Sequence, residues 1–285
     1  MSAPSAQVQP SPRSRRGVSL LPRIYLNFVG HKLIRFLETI HGLGAFTLIT
    51  FAVAVRKFNQ ASAVVHPLVR TQIANSGVRL LPMISFIGLA LGFVIIGQIV
   101  LLQSRVGAQE FAGVVMVSVI VREIGPFITA MLVLGRVGTA TVIELGTARA
   151  QGEVEALEAL GIDPIHYLVV PRVIGIAFAV FSLTVYLILI GLAGGYLFAF
   201  IQDVPLLPGD YVNQLAAALR WQDFLLLGLK TGAFGIVIAM ACCFQGLARP
   251  LRLDDVPEAA TRAVGHSVVA CVLIDALFIV VYLLL

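Results

Sequence analysis

The sequence predicts an all-α integral membrane protein, and two observations carry that prediction. Its mean hydropathy is +0.96, and only 12% of the 285 residues are charged, whereas soluble domains carry about a quarter. Apolar runs also reach the about 20 residues that a helix needs to cross the hydrocarbon core. We therefore expect three segments, a disordered basic tail over 1–23, interfacial helices over 24–79, and a domain of five transmembrane helices over 80–285.

The basic charge is concentrated at the N-terminal end. Residues 1–79 carry a formal charge of +9 and the remainder −4. Basic residues that flank membrane segments stay on the cytoplasmic side, and they attract anionic headgroups. We expect a cytoplasmic N-terminus at the membrane surface, and no nucleic-acid partner.

An amphipathic pattern begins near residue 24. Leu26, Val29, Leu33 and Phe36 recur at helical spacing, which is typical of a helix lying in the membrane interface. The apolar run 43–55 is too short to span, so it either continues that layer or dips into the membrane.

The five spans are predicted at about 80–103, 110–135, 168–201, 221–247 and 263–285. An odd number of crossings places the C-terminus on the outer side of the membrane. The connecting loops agree, since Arg149 and Arg252 lie on the side of the N-terminus, and Asp203 and Asp210 lie on the other.

Small residues at a spacing of four occur in two of these spans. Gly88 and Gly92 share one helical face, as do Gly228 and Gly232. Such pairs let helix backbones approach closely.

Four ionisable residues are placed deep within the spans, namely Arg122, Glu123, Lys230 and Asp275. Charges at this depth face a partner charge, the interior of the bundle or a cavity. One hypothesis is that either Arg122 or Glu123 braces the bundle through Lys230 or Asp275 while the other faces a cavity. The alternative is that all four form structural ion pairs.

Enzymatic signatures are absent from the sequence. GxxxxGK[ST], GxSxG and HExxH do not occur, and the cysteines and histidines lack metal-ligand spacing. We expect no metal site and no nucleotide site on this chain. The polar loop 136–167 is either a docking element or a solvated connector.

Several ordered motifs then carry a resemblance. They read Val121-Arg-Glu-Ile-Gly-Pro126, Gly135-Arg-Val-Gly-Thr-Ala140, Glu155-Ala-Leu-Glu-Ala-Leu-Gly-Ile-Asp-Pro164 and Tyr167-Leu-Val-Val-Pro-Arg172. With this order and spacing, the chain resembles the MlaE/YrbE family of ABC-transporter permeases from about residue 30 onward.

The resemblance implies a permease fold without a cofactor of its own, in a homodimer driven by separate cytoplasmic ATPase subunits that bind ATP-Mg. It further implies a periplasmic, hexameric MCE-domain partner, a small STAS-type accessory protein and a phospholipid cargo. By the same likeness, 144–164 is the helix that couples to the ATPase, and not a solvated connector. Its coupling residues are Glu144, Arg149, Glu155, Ala156, Leu157, Gly161 and Asp163.

The function expected is therefore the inner-membrane permease subunit of a lipid transporter. An apolar cavity wall is expected from Phe86, Leu89, Phe93 and Ile96, with polar cavity positions at Arg122, Glu123, Lys230 and Asp275. Arg122 is the expected contact of a lipid phosphate. The alternative is an ion- or proton-coupled secondary transporter that works without an ATPase.

Overall fold

The structure is a computed structural model that describes residues 41–54, 56, 62–106, 112–202, 208–247 and 252–284. Every secondary-structure element in these ranges is a helix, which confirms the all-α prediction. The predicted tail 1–23 and the amphipathic helix that begins near residue 24 lie outside the described residues. The contacts reported below all belong to one unit, Ala45–Leu285.

The described residues form nine helices. Some of these helices consist of consecutive α- and π-helical segments. The N-terminal part comprises α1 (His41–Ala54), α2 (Ser62–Ser76) with a 3₁₀ turn (Val78–Leu80), α3 (residues 81–106), α4 (residues 112–150) and α5 (Glu153–Ala159). The C-terminal part comprises α6 (residues 165–201), α7 (Pro208–Ala218), α8 (Trp221–Leu247) and α9 (residues 253–284, beginning with the 3₁₀ turn Leu253–Asp255).

Five stretches of these helices are long and apolar enough to cross a membrane, which confirms the predicted number of spans. They are Pro67–Ile99, Gly113–Ala150, Ile165–Ile201, Trp221–Leu247 and Leu253–Leu284. The second continues fifteen residues past its predicted end, because the backbone stays helical until Gly152, whose φ is 78°. The helix α1 is shorter than a span needs, and its Phe46 packs edge-on against Phe244 of α8.

The long helices contain wide π-helical turns. They lie at Gly92–Ile96, Val117–Ile124, Leu134–Gly138 and Ile165–Val169. Pro126 and Pro171 each follow such a turn by two residues. Because proline lacks the N–H that an α-helical turn requires, the backbone widens before it.

Helix α6 lies between α3 and α8 and makes close backbone contacts with both. Gly92 of α3 lies directly against the backbone of Gly191, and a Cβ on Gly194 would lie 2.8 Å from the carbonyl oxygen of Leu89. The first predicted glycine pair therefore does allow close packing. Around Gly232 of the second pair no atom lies within 4 Å of where a Cβ would be, so that face does not pack closely within the described chain.

Helix α7 closes one end of the bundle. The Tyr211 hydroxyl donates a hydrogen bond of 2.9 Å to the carbonyl oxygen of Leu192 in α6. Burial raises the pKa of Tyr211, so this phenol remains a hydrogen-bond donor. Helix α9 lies at the periphery, and large apolar side chains such as Leu273, Leu277 and Val280 are exposed on it.

The contact between Gly92 and Gly191 can be tested by adding one methyl group. We expect Gly92→Ala to lower the free energy of unfolding by about 1–3 kcal/mol, because α3 and α6 must separate to admit the methyl. Gly232→Ala is the matched control, since its methyl meets open space. Thermal unfolding in detergent measures both, and an unchanged midpoint for Gly92→Ala would contradict the tight contact.

Candidate functional site

The charged pair Arg122-Glu123 lies in the π-helical segment Val117–Ile124 of α4. The local sequence explains why a charged contact is needed here. In an α-helix the N–H of residue 126 would bond the carbonyl of residue 122, but residue 126 is proline and has no N–H. The Arg122 carbonyl is therefore left without an α-helical donor, inside an apolar layer where an unsatisfied carbonyl is costly.

Lys230 of α8 supplies the missing donor. Its Nζ lies 2.8 Å from the Arg122 carbonyl oxygen, 2.8 Å from Glu123 Oε2 and 2.8 Å from Asp275 Oδ1. The side chain is 0% exposed. The ammonium donates hydrogen bonds to the first two of these oxygens and forms an ion pair with Asp275. One buried cation thus joins α4, α8 and α9.

Arg122 is bound by a different carboxylate on α8. Its Nε lies 2.8 Å from Asp223 Oδ1, and its Nη2 donates to Oδ2 at 3.3 Å. Asp223 is 3% exposed and also accepts the backbone N–H of Arg220 at 2.9 Å. The guanidinium carbon lies 5.2 Å from the ring centroid of Tyr282, a cation–π contact with α9.

The neighbours Arg122 and Glu123 therefore contact α8 at two different heights. Asp223 and Lys230 are seven residues apart, which is two turns or about 10 Å along α8. Arg122 reaches toward one and Glu123 toward the other. Both members of the pair brace the bundle, whereas the first sequence hypothesis gave that role to only one of them.

The cluster remains partly open on one side. Arg122, Glu123 and Asp275 are 26%, 31% and 20% exposed, whereas Lys230 is fully buried. With two cations and three carboxylates, the formal charge of the five ionised side chains is −1. This site is therefore built of mutually paired charges and carries no excess positive charge for an anion.

An apolar pocket of about 160 Å³ adjoins the cluster. Its walls come from α4, α6 and α8, and Asp223 lies at its edge. Val121, Ile188, Leu192 and Leu227 supply apolar surface there. Such a groove suits a hydrocarbon chain, because it offers no polar group other than the carboxylate at the edge.

The four residues predicted to form an apolar cavity wall do not share one environment. Phe86 and Leu89 are exposed, and Phe93 packs edge-on against Phe198 at 4.8 Å between ring centroids. Ile96 is fully buried and packs against Gly195 of α6. The prediction for Ile96 needs correction, because its position on the inner face of α3 places it between helices.

The predicted coupling segment 144–164 comprises the end of α4, a turn and α5. Glu144 and Arg149 lie on α4, where Glu144 accepts a hydrogen bond from Arg172 at 3.1 Å. Arg149 Nε lies 3.5 Å from Glu155 Oε1 and joins α4 to α5. The resemblance implied a single coupling helix over this segment. The structure instead has two helices, because the positive φ of Gly152 ends α4 before α5 begins.

The rest of that segment forms a surface around α5. Ala156 is exposed and Leu157 is half-buried, while Val154 anchors α5 in the core. Gly161 follows with a φ of 74°, and the Asp163 carboxylate accepts the N–H of Ile165 at 3.0 Å, which begins α6.

Sequence reasoning missed three features of these sites. Asp223 was overlooked, although its spacing of seven from Lys230 places it on the same helical face. The partner of Glu144, Arg172, lies 28 residues away, and no local signal indicates that contact. Leu160 and Ile162 are exposed at the end of the bundle that carries α5, which only the structure reveals.

Comparisons with known proteins agree on one family. A family model described as Permease MlaE matches residues 69–281. The chain is 30% identical over 246 residues to a probable ABC transporter permease protein of Rickettsia felis, covering 85% of this chain and 91% of that protein. It is 34% identical over 212 residues to TRIGALACTOSYLDIACYLGLYCEROL 1, a chloroplastic protein of Arabidopsis thaliana, covering 73% and 58%. It is 28% identical over 204 residues to the intermembrane phospholipid transport system permease protein MlaE of Haemophilus influenzae, covering 70% and 77%.

The balance of charge in the cluster can be tested at Lys230. Lys230→Met leaves Glu123 and Asp275 without their shared cation, and we expect a loss of about 3–5 kcal/mol in the free energy of unfolding. Adding Glu123→Gln and Asp275→Asn should recover part of that loss, since neutral amides need no counter-charge. Monodisperse yield and unfolding midpoint measure both variants. A triple variant no more stable than Lys230→Met would contradict charge balance as the cause.

Proposed function

The chain belongs to the MlaE permease family, and from that premise we propose that it is the membrane-spanning subunit of an ABC-type phospholipid transporter. Two relatives support a lipid cargo. The Haemophilus influenzae protein is named for intermembrane phospholipid transport, and the Arabidopsis protein is named after trigalactosyldiacylglycerol. The apolar pocket beside the charge cluster is compatible with such a cargo.

The proposed location is the inner membrane, with a cytoplasmic N-terminus and a periplasmic C-terminus. The distribution of charge supports this orientation. The end of the bundle that carries α5 has exposed arginines such as Arg252, and the opposite end has Asp210 on α7. Trp221 and Tyr282 lie near that opposite end, where aromatic belts meet the headgroups.

The energy source proposed is a pair of separate ATPase subunits that bind ATP-Mg, consistent with relatives named ABC transporter permeases. Helix α5 and its following turn offer a docking surface. Leu160 is 76% exposed and Ile162 is 40% exposed, and both lie beside the exposed acidic residues Glu155 and Glu158. Exposed apolar side chains within a charged surface are typical of a protein interface.

A second copy of the chain is the proposed partner within the membrane. The exposed apolar face of α9 supports a homodimer, because Leu273 and Leu277 point away from the rest of the chain. A central cavity between two copies would include the exposed Phe86 and the open edges of Arg122, Glu123 and Asp275. On the periplasmic side a hexameric MCE-domain protein would exchange lipid with this cavity, and a small STAS-type protein would accompany the ATPases.

Helix α4 provides a mechanical connection between these regions. It runs without a break from residue 112 to 150 and carries both the charge cluster and the residues that hold α5. A displacement of α5 would be transmitted to α4 through the ion pair between Arg149 and Glu155. Because Lys230 ties α4 to α8 and α9, the three helices would move together and reshape the cavity.

A secondary transporter remains the second candidate. The observation in its favour is the partial exposure of two intramembrane carboxylates, Glu123 and Asp275, since such groups serve as ion or proton sites in transporters. The purified chain in liposomes distinguishes the two. Ion-driven substrate flux without any ATPase would support this candidate over the ABC permease.

Co-purification tests the main proposal directly. We expect the tagged chain, extracted from its own membranes in mild detergent, to carry an ABC ATPase chain and bound phospholipid, as identified by mass spectrometry. The same membranes with untagged chain provide the control for adventitious lipid. Recovery of the folded chain with neither ATPase nor enriched phospholipid would contradict the proposal.

The proposed docking surface at α5 can be tested by introducing one charged side chain. We expect Leu160→Asp to weaken association with the ATPase by about 2 kcal/mol or more, because a buried apolar contact would become an unpaired carboxylate. Pull-down and the ATP hydrolysis rate of the assembled complex measure it. Val212→Asp on α7 is the matched control, since Val212 is also exposed but lies at the opposite end. Equal losses in both variants would refute docking at α5.

A further inference from the structure

A second polar site lies between α2 and α4, well separated from the charge cluster. Arg136 follows Arg122 by fourteen residues on α4, which corresponds to about 20 Å along the helix. The cavity there has a volume of about 230 Å³. Polar side chains from α2, the turn after it and α4 line it, namely Gln72, Asn75, Ser76, Arg79, Arg136 and Glu144.

Both arginines of this cavity are exposed and unpaired among the described residues, in contrast to four arginines that lie on the long helices. Arg122, Arg149, Arg172 and Arg262 each pair with a carboxylate. Within the part of the chain that the structure describes, no hydrogen bond or ion pair engages the side chain of Arg79 or Arg136.

The carboxylate in the same cavity does not offset these charges. Glu144 is held by Arg172, whose Nη2 lies 3.1 Å from Glu144 Oε2. The cavity therefore presents two exposed positive charges that no described residue pairs, and an anion can reach both of them.

The remaining walls are fixed by packing. Gln72 of α2 lies against Gly175 of α6, where a Cβ would come within 2.6 Å of Gln72 Cγ. Ser76 is fully buried, and its Oγ accepts a hydrogen bond from Gln72 Nε2 at 3.3 Å. Because these contacts hold α2 in place, the cavity is formed before any ligand enters.

The chemistry of the walls selects the kind of anion. A guanidinium presents a planar fork of N–H groups that matches two oxygens of a phosphate. Amide groups of Gln72 and Asn75 add neutral polar groups nearby. At about 30 Å³ for each water-sized group, the volume admits a phosphate and the first atoms attached to it.

The level of the cavity in the bundle indicates where the phosphate comes from. Arg79 lies in the 3₁₀ turn Val78–Leu80 just before α3, and Arg136 lies about 20 Å from the cluster, toward the end of the bundle that carries α5. Headgroups of one leaflet lie at this level, and basic pockets between helices bind anionic headgroups.

We propose that the cavity between α2 and α4 binds a phosphate group, supplied by an anionic phospholipid headgroup, through Arg79 and Arg136. This site is separate from the cavity that would carry cargo. It requires neither an ATPase nor transport, so its failure and the failure of the proposed function are distinguishable.

The test compares lipids of opposite headgroup charge on the full chain. Purified protein is mixed with phosphatidylglycerol or phosphatidylcholine in detergent, and native mass spectrometry counts bound lipid. We expect wild type to prefer phosphatidylglycerol, and the double variant Arg79→Gln, Arg136→Gln to lose about 25-fold of that preference, at about fivefold for each arginine. Arg252→Gln is the matched control, since it removes one exposed arginine at the same end of the bundle.

Two further arms make the result decisive. Competition by inorganic phosphate at millimolar concentration would assign the site to a soluble phosphate, and its failure to compete would assign it to the lipid headgroup. If the glutamine pair does not fold, Arg79→Lys with Arg136→Lys keeps both charges and should retain part of the preference while losing the forked contact. A phosphatidylglycerol preference equal to that of wild type in both pairs would overturn the proposal.

Discussion

The buried ammonium of Lys230 is the constraint on which the rest of the structure depends. An isolated charge in an apolar interior is prohibitively costly, so the helices must arrange themselves around it. Three oxygens lie 2.8 Å from this ammonium of α8, two of them hydrogen-bond acceptors on α4 and the third an ion-pair partner on α9. The rotation and register of three spans follow from that single requirement, since shifting any one by a residue would remove an acceptor.

The same constraint explains the composition of the motif that begins at Arg122. Pro126 removes a backbone donor and opens a π-helical turn, and the carbonyl so released becomes one of the acceptors of Lys230. Glycine at 125 is needed as well, because a Cβ there would lie 2.6 Å from the Ile120 carbonyl oxygen. The motif therefore shapes the backbone of α4 as well as supplying charged side chains.

Charge is divided between two levels of the bundle. The cluster around Lys230 neutralises itself and stiffens the junction of α4, α8 and α9, whereas Arg79 and Arg136 keep their charge available near the other end. Helix α4 passes through both levels and ends beside α5. A signal at α5 therefore has a continuous route into the bundle, and the anion cavity lies beside that route.

Particular residues show how much of the structure could be predicted from the sequence. Five spans were evident because apolar length alone decides them, and Lys230 and Asp275 were suspected because charge at that depth needs a partner. The close contact at Gly88 and Gly92 was indicated by spacing, yet the identical spacing at Gly228 and Gly232 is not used within the described chain. Asp223 was missed because its partner, Arg122, lies on another helix.

By itself, the sequence determined the class of protein, the number of spans, the likeness to a permease family and the set of buried charges in need of partners. Hydropathy and periodicity are local properties that suffice for the class, the spans and the buried charges, and the likeness rests on the order of the sequence motifs. Only the tertiary structure decided which charge meets which, that Ile96 lies between helices, and that Arg79 and Arg136 share one cavity. Those facts depend on the rotation of each helix about its axis, which is set by contacts between residues more than a hundred positions apart.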